Sequence, residues 1–153
     1  MRARSPGSDV RETMGGVPAL SSIARPEQVR RGRVLAVDNV DPFLDVLRTL
    51  VLATSLLELV GEARSGERAL EQARICGPEL VLMDVHMPGM GGVAATRAIK
   101  AEHPSAVIVL ISAIHPDELA AEASVCGADE IVWKGQLRPH LLDAIWRRHR
   151  PTP

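Results

Sequence analysis

Polar residues of the types that bind a cation and a phosphoryl group follow four short apolar runs in this sequence. Asp38 and Asn39 come after RVLAV (33–37), Asp84 after ELVLM (79–83), Ser112 after AVIVLI (106–111) and Lys134 after EIVW (130–133). Carboxylate oxygens suit Mg²⁺, which takes one or two of them together with phosphate oxygens and waters. An aspartate can attack phosphorus while a lysine neutralises charge on the transferring group. The pattern predicts phosphoryl transfer to Asp84 with Mg²⁺ as cofactor.

The apolar runs alternate with segments of helical periodicity, and a fifth run, LLELV (56–60), contains a glutamate typical of an edge strand. The first predicted helix begins with Asp41 as its N-cap and Pro42 at its first position. Ser65 caps the second, which ends before Gly77-Pro78. The remaining predicted helices run from about Gly92 to Ala101, from Pro116 to Cys126 with Gly127 at its end, and from Pro139 to His149.

This (βα)₅ order predicts an α/β fold, a doubly wound sandwich around a five-stranded parallel sheet. Ligands of such sheets bind beyond the carboxyl ends of the strands. The polar residues that follow the first, third, fourth and fifth strands are therefore expected to meet in one pocket.

The sequence around these residues resembles the receiver domains of bacterial two-component response regulators. LVLMDVHMPGMGG (80–92) is similar to their phosphoacceptor strand and loop, and RVLAVDN (33–39) is similar to their acidic first strand. ISA (111–113) and GADEIVWK (127–134) resemble the segments that carry their hydroxyl residue and their lysine. The resemblance covers about residues 33–149 and implies a flavodoxin-like sheet with strand order 2-1-3-4-5.

The resemblance also implies a role for each residue. Asp84 is the phosphoacceptor for a sensor histidine kinase or phosphotransfer protein, and Ser112 and Lys134 complete the catalytic set. Asp38, Asp84 and the backbone carbonyl of His86 bind Mg²⁺, with Asn39 as a weak ligand. The His86 side chain matches a position that influences the access of water to the acyl phosphate. Phosphorylation is expected to shift the surface around the fourth predicted helix and the fifth strand.

Two departures from the family pattern leave an alternative open. Asn39 stands where a second acidic residue is usual, and Ile131 stands where an aromatic side chain often swings inward, with Trp133 two residues later. Both favour a pseudo-receiver, a protein-interaction module that phosphorylation does not regulate. A phosphatase with an aspartate nucleophile is less well supported, because Asp38-Asn39-Val40 lacks the second carboxylate of an Asp-x-Asp arrangement.

Composition restricts the partners. The 18 basic and 19 acidic side chains nearly cancel, so bulk charge does not favour nucleic acid or membrane binding. Aromatic residues are only 2 % of the chain, too few for stacking platforms. Cys76 and Cys126 have no metal-ligand spacing, and no signal peptide is visible, which predicts a cytoplasmic location.

The predicted organisation is a poorly ordered N-terminal tail (1–32), a receiver domain (33–149) and a short C-terminal tail (150–153). Met1 and Met14 are both candidate translation starts. No helix-turn-helix follows the last helix, so we expect a stand-alone receiver without a DNA-binding output domain, and not a turnover enzyme. Its output would go through an unidentified downstream protein or through a homodimer.

Overall fold

The computed structural model of the chain describes residues 30–118, 121 and 125–152. The predicted N-terminal tail lies outside the described residues except for its last three positions. Gly32 already belongs to the first strand, one residue earlier than the apolar run RVLAV suggests.

Five strands form one sheet, and four α-helices are described. The strands are β1 (Gly32–Val37), β2 (Leu57–Ala63), β3 (Leu80–Asp84), β4 (Val107–Ser112) and β5 (Glu130–Trp133). The helices, numbered here in chain order, are α1 (Asp41–Leu52), α2 (Gly66–Cys76), α3 (Gly92–Glu102) and α4 (Pro139–His149). The strand order is β2-β1-β3-β4-β5 and every neighbouring pair is parallel, which confirms the predicted doubly wound sheet.

The apolar strands bury both of their faces, because helices cover the sheet on each side. Alternate residues of β1 illustrate this, since Val34 and Ala36 pack on one side while Leu35 and Val37 pack on the other. Helices α1 and α4 line the first side with Leu44, Leu47, Val51, Leu142, Ile145 and Trp146. Helices α2 and α3 line the second with Ala69, Ala73, Ala95 and Ile99. The two-layered core holds the central strands rigidly, which fixes the positions of their carboxyl ends.

Trp146 belongs to this core and is only 5 % exposed. A Cβ atom on Gly32 would lie 2.6 Å from its indole ring. A glycine at the start of β1 therefore makes room for the indole of α4, and Trp146 is a packing residue rather than an exposed anchor.

The predicted start of the first helix is wrong by one residue. Val40 is the N-cap, because its carbonyl accepts the first helical hydrogen bonds from the N–H groups of Phe43 and Leu44. Asp41 lies inside the first turn, where its carboxylate pairs with Arg64 and makes no cap hydrogen bond. The cap of α2 is confirmed, since Ser65 Oγ accepts a hydrogen bond from the Arg68 N–H.

The region of the fourth predicted helix is only partly described. A 3₁₀ turn occupies Pro116–Glu118 in place of the expected first α-helical turn, and residues 119–120 and 122–124 lie outside the described part. Gly127 has a φ of +88°, in keeping with the predicted end of this segment at a glycine.

None of the helices in the described part of the chain combines the length and the apolar character that a bilayer crossing demands.

Candidate functional site

The predicted site residues lie at one edge of the sheet. Asp38 follows β1, Asp84 ends β3, Ser112 ends β4 and Lys134 follows β5. These four strands are consecutive neighbours and all are parallel, so their carboxyl ends must meet. Asp84 and Ser112 belong to the strands themselves, one residue later than the apolar runs suggest.

Lys134 joins the two aspartates. Its Nζ lies 2.8 Å from Oδ2 of Asp38 and 3.4 Å from Oδ1 of Asp84. The other oxygen of Asp38, Oδ1, accepts a hydrogen bond of 2.8 Å from the Val40 N–H. Asp38 is completely buried, so this backbone bond and the ammonium are what compensate its charge.

Phe43 is a site residue that the sequence did not predict. The Nζ of Lys134 lies 4.1 Å from the centroid of its ring, a cation–π contact. Phe43 sits in the first turn of α1, just beyond the loop that begins at Asp38. One sequence signal could have identified it, because Phe43 is the chain's only phenylalanine and lies close to Asp38 in sequence.

Asp84 has an environment that disfavours its charged form. Burial raises the pKa of its carboxyl above the ordinary value, and the Asp38 carboxylate raises this pKa further. Lys134 and a hydrogen bond from the His86 backbone N–H oppose the rise without cancelling it. The pair of aspartates therefore carries more negative charge than one lysine stabilises, and a second cation would favour both carboxylates in their ionised form.

Ser112 is completely buried beside Asp84 in the next strand. Its Oγ accepts a hydrogen bond of 3.0 Å from the Ile114 N–H. A hydroxyl that accepts still has one hydrogen to donate, so Ser112 can bind an oxygen placed on Asp84.

Asn39, predicted as a weak Mg²⁺ ligand, and His86, predicted to bind Mg²⁺ through its backbone carbonyl, both have exposed side chains. Asn39 lies in the bend between β1 and α1, and the His86 side chain is exposed in the loop after β3. The His86 backbone N–H acts on the site by lowering the pKa of the Asp84 carboxyl.

Ile131, which departs from the family pattern, and Trp133, two residues later in β5, have different surroundings. Ile131 packs against the core on the side of α2 and α3. Trp133 is 38 % exposed, and its Nε1 donates a hydrogen bond of 3.2 Å to the carbonyl of Ala113, the residue after Ser112. Ile131 stands at the position where the family often has an aromatic ring that swings inward, and Trp133 does not supply a ring there.

The loop after Asp84 is held by a glycine pair at the start of α3. A Cβ atom on Gly92 would lie 2.0 Å from the carbonyl oxygen of Asp84, so no larger residue fits there. The Gly92 N–H also donates to the Val85 carbonyl at 3.0 Å. Gly91 is the N-cap of α3, a position where glycine is tolerated.

The donor set fits Mg²⁺. Among the described residues, no group of three or more His, Cys, Asp or Glu side chains is placed to hold a metal ion. Asp38 and Asp84 supply two carboxylates, and Lys134 is the one cation that lies between them among the described residues. Two carboxylates with open positions for carbonyl, water and phosphoryl oxygens suit Mg²⁺ better than metals that require nitrogen or sulfur ligands.

Known proteins with similar sequences include response regulators and protein-glutamate methylesterases. Response regulator GacA of Pseudomonas viridiflava is 35% identical over 113 residues, which are 74% of this chain and 53% of that protein. A protein-glutamate methylesterase/protein-glutamine glutaminase of Myxococcus xanthus is 35% identical over 122 residues, 78% of this chain and 35% of that protein. The chain thus spans about half the length of GacA and less of the methylesterase.

Solved receiver domains have the same fold. The signal receiver domain of the putative response regulator NarL from Mycobacterium tuberculosis has a TM-score of 0.73 at 25% identity, covering 80% of this chain and 99% of that one. The response regulator domain of Thermotoga maritima CheB has a TM-score of 0.70 at 26% identity, covering 81% and 100%. Residues 34–146 match the response regulator receiver domain, so the chain belongs to this family of two-component signalling proteins.

Proposed function

We propose that this receiver signals by accepting a phosphoryl group on Asp84 from the phosphohistidine of a sensor histidine kinase or phosphotransfer protein. The observation that carries the proposal is the position of Lys134, 2.8 Å from Asp38 and 3.4 Å from Asp84. One ammonium between two buried carboxylates is suited to neutralise the oxygens of a group that arrives at Asp84.

The proposed reaction forms one bond and breaks one. A carboxylate oxygen of Asp84 bonds to phosphorus as the phosphorus–nitrogen bond of the donor breaks. The electron pair leaves with the imidazole nitrogen, which then takes up a proton. Lys134 stabilises charge on the phosphoryl oxygens, and the Ser112 hydroxyl donates a hydrogen bond to one of them afterwards.

Mg²⁺ is the proposed cofactor. When bound, it supplies positive charge that stabilises the phosphoryl oxygens during transfer. The Asp38 and Asp84 carboxylates and the His86 carbonyl are its proposed ligands, with Asn39 as a weak one. Asn39 carries no charge, so we expect weaker binding than a second acidic residue would give at this position.

The proposed output is a change in protein–protein contacts. The Trp133 Nε1 donates a hydrogen bond to the carbonyl of Ala113, the residue after Ser112. Ile114, in the same loop, is 39 % exposed. A rearrangement of Ser112 toward a phosphoryl group would therefore alter an exposed apolar surface. We propose that a downstream protein or a second copy of the chain recognises this change, without direct contact to nucleic acid or membrane. A cytoplasmic location stays a prediction.

Treatment with acetyl phosphate and Mg²⁺, followed by intact mass measurement and Phos-tag electrophoresis, tests the proposal. We expect wild type to gain one phosphoryl group and Asp84→Asn to gain none. Asp45→Asn, an exposed aspartate on α1, is the matched control and should label like wild type. Chelation of Mg²⁺ should abolish labelling.

An unlabelled wild type, under conditions that label a control receiver, would contradict the proposal and favour the pseudo-receiver alternative suggested by Asn39 and Ile131. Equal labelling of wild type and Asp84→Asn would contradict the assignment of the acceptor. Pull-downs with wild type, Asp84→Asn and beryllofluoride-treated protein test the output, which is contradicted if all three recover the same proteins with equal yield.

A further inference from the structure

The segment that follows the phosphoacceptor, residues 85–91, makes a backbone contact with the start of α2. The Met90 N–H donates a hydrogen bond of 3.0 Å to Oε1 of Glu67. This bond is the largest cause that lowers the pKa of the Glu67 carboxyl, so the charged form of Glu67 binds the loop more strongly than the neutral form. Glu67 is exposed and, within the described residues, makes no ion pair, so the loop is its main partner.

Two glycines make this contact close. A Cβ atom on Gly66 would lie 2.4 Å from the Met90 carbonyl oxygen, so α2 and the loop meet at backbone distance. Gly89 has a φ of +73°, a conformation that side chains disfavour, and its missing Cβ would lie 3.1 Å from Glu67 Oε1. The turn at Gly89 thus brings the next N–H group to the carboxylate.

The other end of the loop is tied to the phosphoacceptor itself. Gly92 packs against the carbonyl of Asp84, and the His86 backbone N–H lowers the pKa of the Asp84 carboxyl. Val85 and Met87 are 6 % and 8 % exposed and anchor the loop from below. The rest of the loop is held by the partly buried Met90 side chain, which packs against the core on the side of α2 and α3, and by Glu67, which accepts the Met90 N–H.

We propose that Glu67 is a positioning residue that sets the loop after Asp84 in the geometry needed at the phosphorylation site. It touches neither the phosphoryl group nor the cation. It acts through the Met90 N–H, which limits how far the loop, with the His86 N–H and carbonyl, can move away from Asp84. The expected effect on phosphorylation and Mg²⁺ binding rests on the proposed function, whereas the role of Glu67 in holding the loop does not.

Three variants of the full chain separate positioning from general stability. Glu67→Ala removes the acceptor, and Glu67→Gln keeps an oxygen in place of Oε1 with a weaker, neutral hydrogen bond. Glu71→Ala, one turn further along α2, removes an exposed glutamate that pairs only with Arg68 and serves as the matched control. Thermal unfolding of each variant reports on folding independently.

Hydrogen–deuterium exchange of the peptide containing residues 85–92, without Mg²⁺ or phosphodonor, is the first measurement. We expect exchange to be faster in Glu67→Ala, near wild type in Glu71→Ala and intermediate in Glu67→Gln. The second measurement is Mg²⁺ affinity from tryptophan fluorescence, for which we expect about a 10-fold loss in Glu67→Ala, as for partners that orient ligands from outside the first shell. The third is the rate of labelling by acetyl phosphate, with the same ranking.

The proposal is overturned if Glu67→Ala exchanges, binds Mg²⁺ and labels like Glu71→Ala, or if Glu67→Gln is as impaired as Glu67→Ala. Faster loop exchange in Glu67→Ala together with an unlabelled wild type would remove the proposed function and keep the role of Glu67 in holding the loop. A labelled wild type with unchanged loop exchange in Glu67→Ala would keep the proposed function and remove the role of Glu67 in holding the loop.

Discussion

The Lys134 ammonium lies over the ring of Phe43, with Nζ 4.1 Å from the ring centroid. The same Nζ forms an ion pair with Oδ2 of Asp38 at 2.8 Å. The cation thus contacts both a carboxylate and an aromatic face that carries no formal charge. The ring helps to orient the lysine without competing for the oxygens that it is positioned to neutralise.

Phe43→Leu should lower the free energy of unfolding by about 1 kcal/mol, because the leucine keeps apolar contacts but loses the cation–π contact. Urea unfolding followed by tryptophan fluorescence measures the change. Repeating the substitution in a Lys134→Met background provides the control. An equal loss in both backgrounds would show that the ring contributes packing alone.

The raised pKa of Asp84 predicts a pH-dependent stability difference between wild type and Asp84→Asn. The folded protein binds the proton of Asp84 more tightly than the unfolded chain does. The stability that this contributes is therefore fully present below the unfolded pKa, about 3.9, and is lost as the pH rises through the folded pKa. Without Mg²⁺, Asp84→Asn should be the more stable protein at pH 7, and the difference should shrink as the medium becomes acidic. Unfolding curves at several pH values check this, and a gap that widens toward low pH would contradict the assigned direction.

The buried threonines differ in their hydroxyl partners and should respond oppositely to valine. Within the described residues the Thr96 hydroxyl in α3 has no hydrogen-bond partner, whereas the Thr54 hydroxyl donates to the Val51 carbonyl at 2.6 Å. Thr96→Val should raise the free energy of unfolding by about 1 kcal/mol, since it removes an unsatisfied polar group. Thr54→Val should lower it by a similar amount, about 1 kcal/mol. Denaturant unfolding of both variants tests the contrast, which fails if the two shifts have the same sign.

The adjacent glycines before α3 should tolerate alanine very differently. In Gly92→Ala the new methyl group meets the Asp84 carbonyl, whereas a Cβ on Gly91 lies 3.5 Å from its nearest neighbour, the Val85 carbonyl. We expect Gly92→Ala to be destabilised by about 3 kcal/mol, at the upper end of overpacking effects. Gly91→Ala should change the midpoint of thermal unfolding little. Comparable losses in the two variants would show that the close approach at Asp84 is not what requires glycine.

The strands and most helices were predictable because each carries its own local signal. Five apolar runs separated by helical periodicity are enough to specify a doubly wound sheet, and the ends of parallel strands must then share an edge. Asp38, Asp84, Ser112 and Lys134 come together for that reason alone. Ser65 and Gly77 were equally readable, since capping depends on the residue itself and its nearest neighbours.

Local signals were less reliable where two of them competed. Asp41 next to Pro42 is a sound cap pattern, yet the helix begins with Val40 as cap because Asp38 takes the Val40 N–H and Asp41 pairs with Arg64. The first contact is local in sequence, whereas the second joins α1 to a residue that the fold brings nearby. The 3₁₀ turn at Pro116–Glu118, where an α-helix was predicted, is a difference for which local sequence offered no signal.

By itself the sequence determined which candidate residues follow the strands and that they lie together at the carboxyl ends of the sheet, because periodicity and strand order follow from short-range pattern. Only the tertiary structure decided how those residues are surrounded. The contact of Phe43 with Lys134, the bond of Glu67 to Met90 and the burial that raises the pKa of Asp84 all join segments distant in the chain or depend on how they pack. Such distances arise from the packing of helices on the sheet, and no local pattern encodes them.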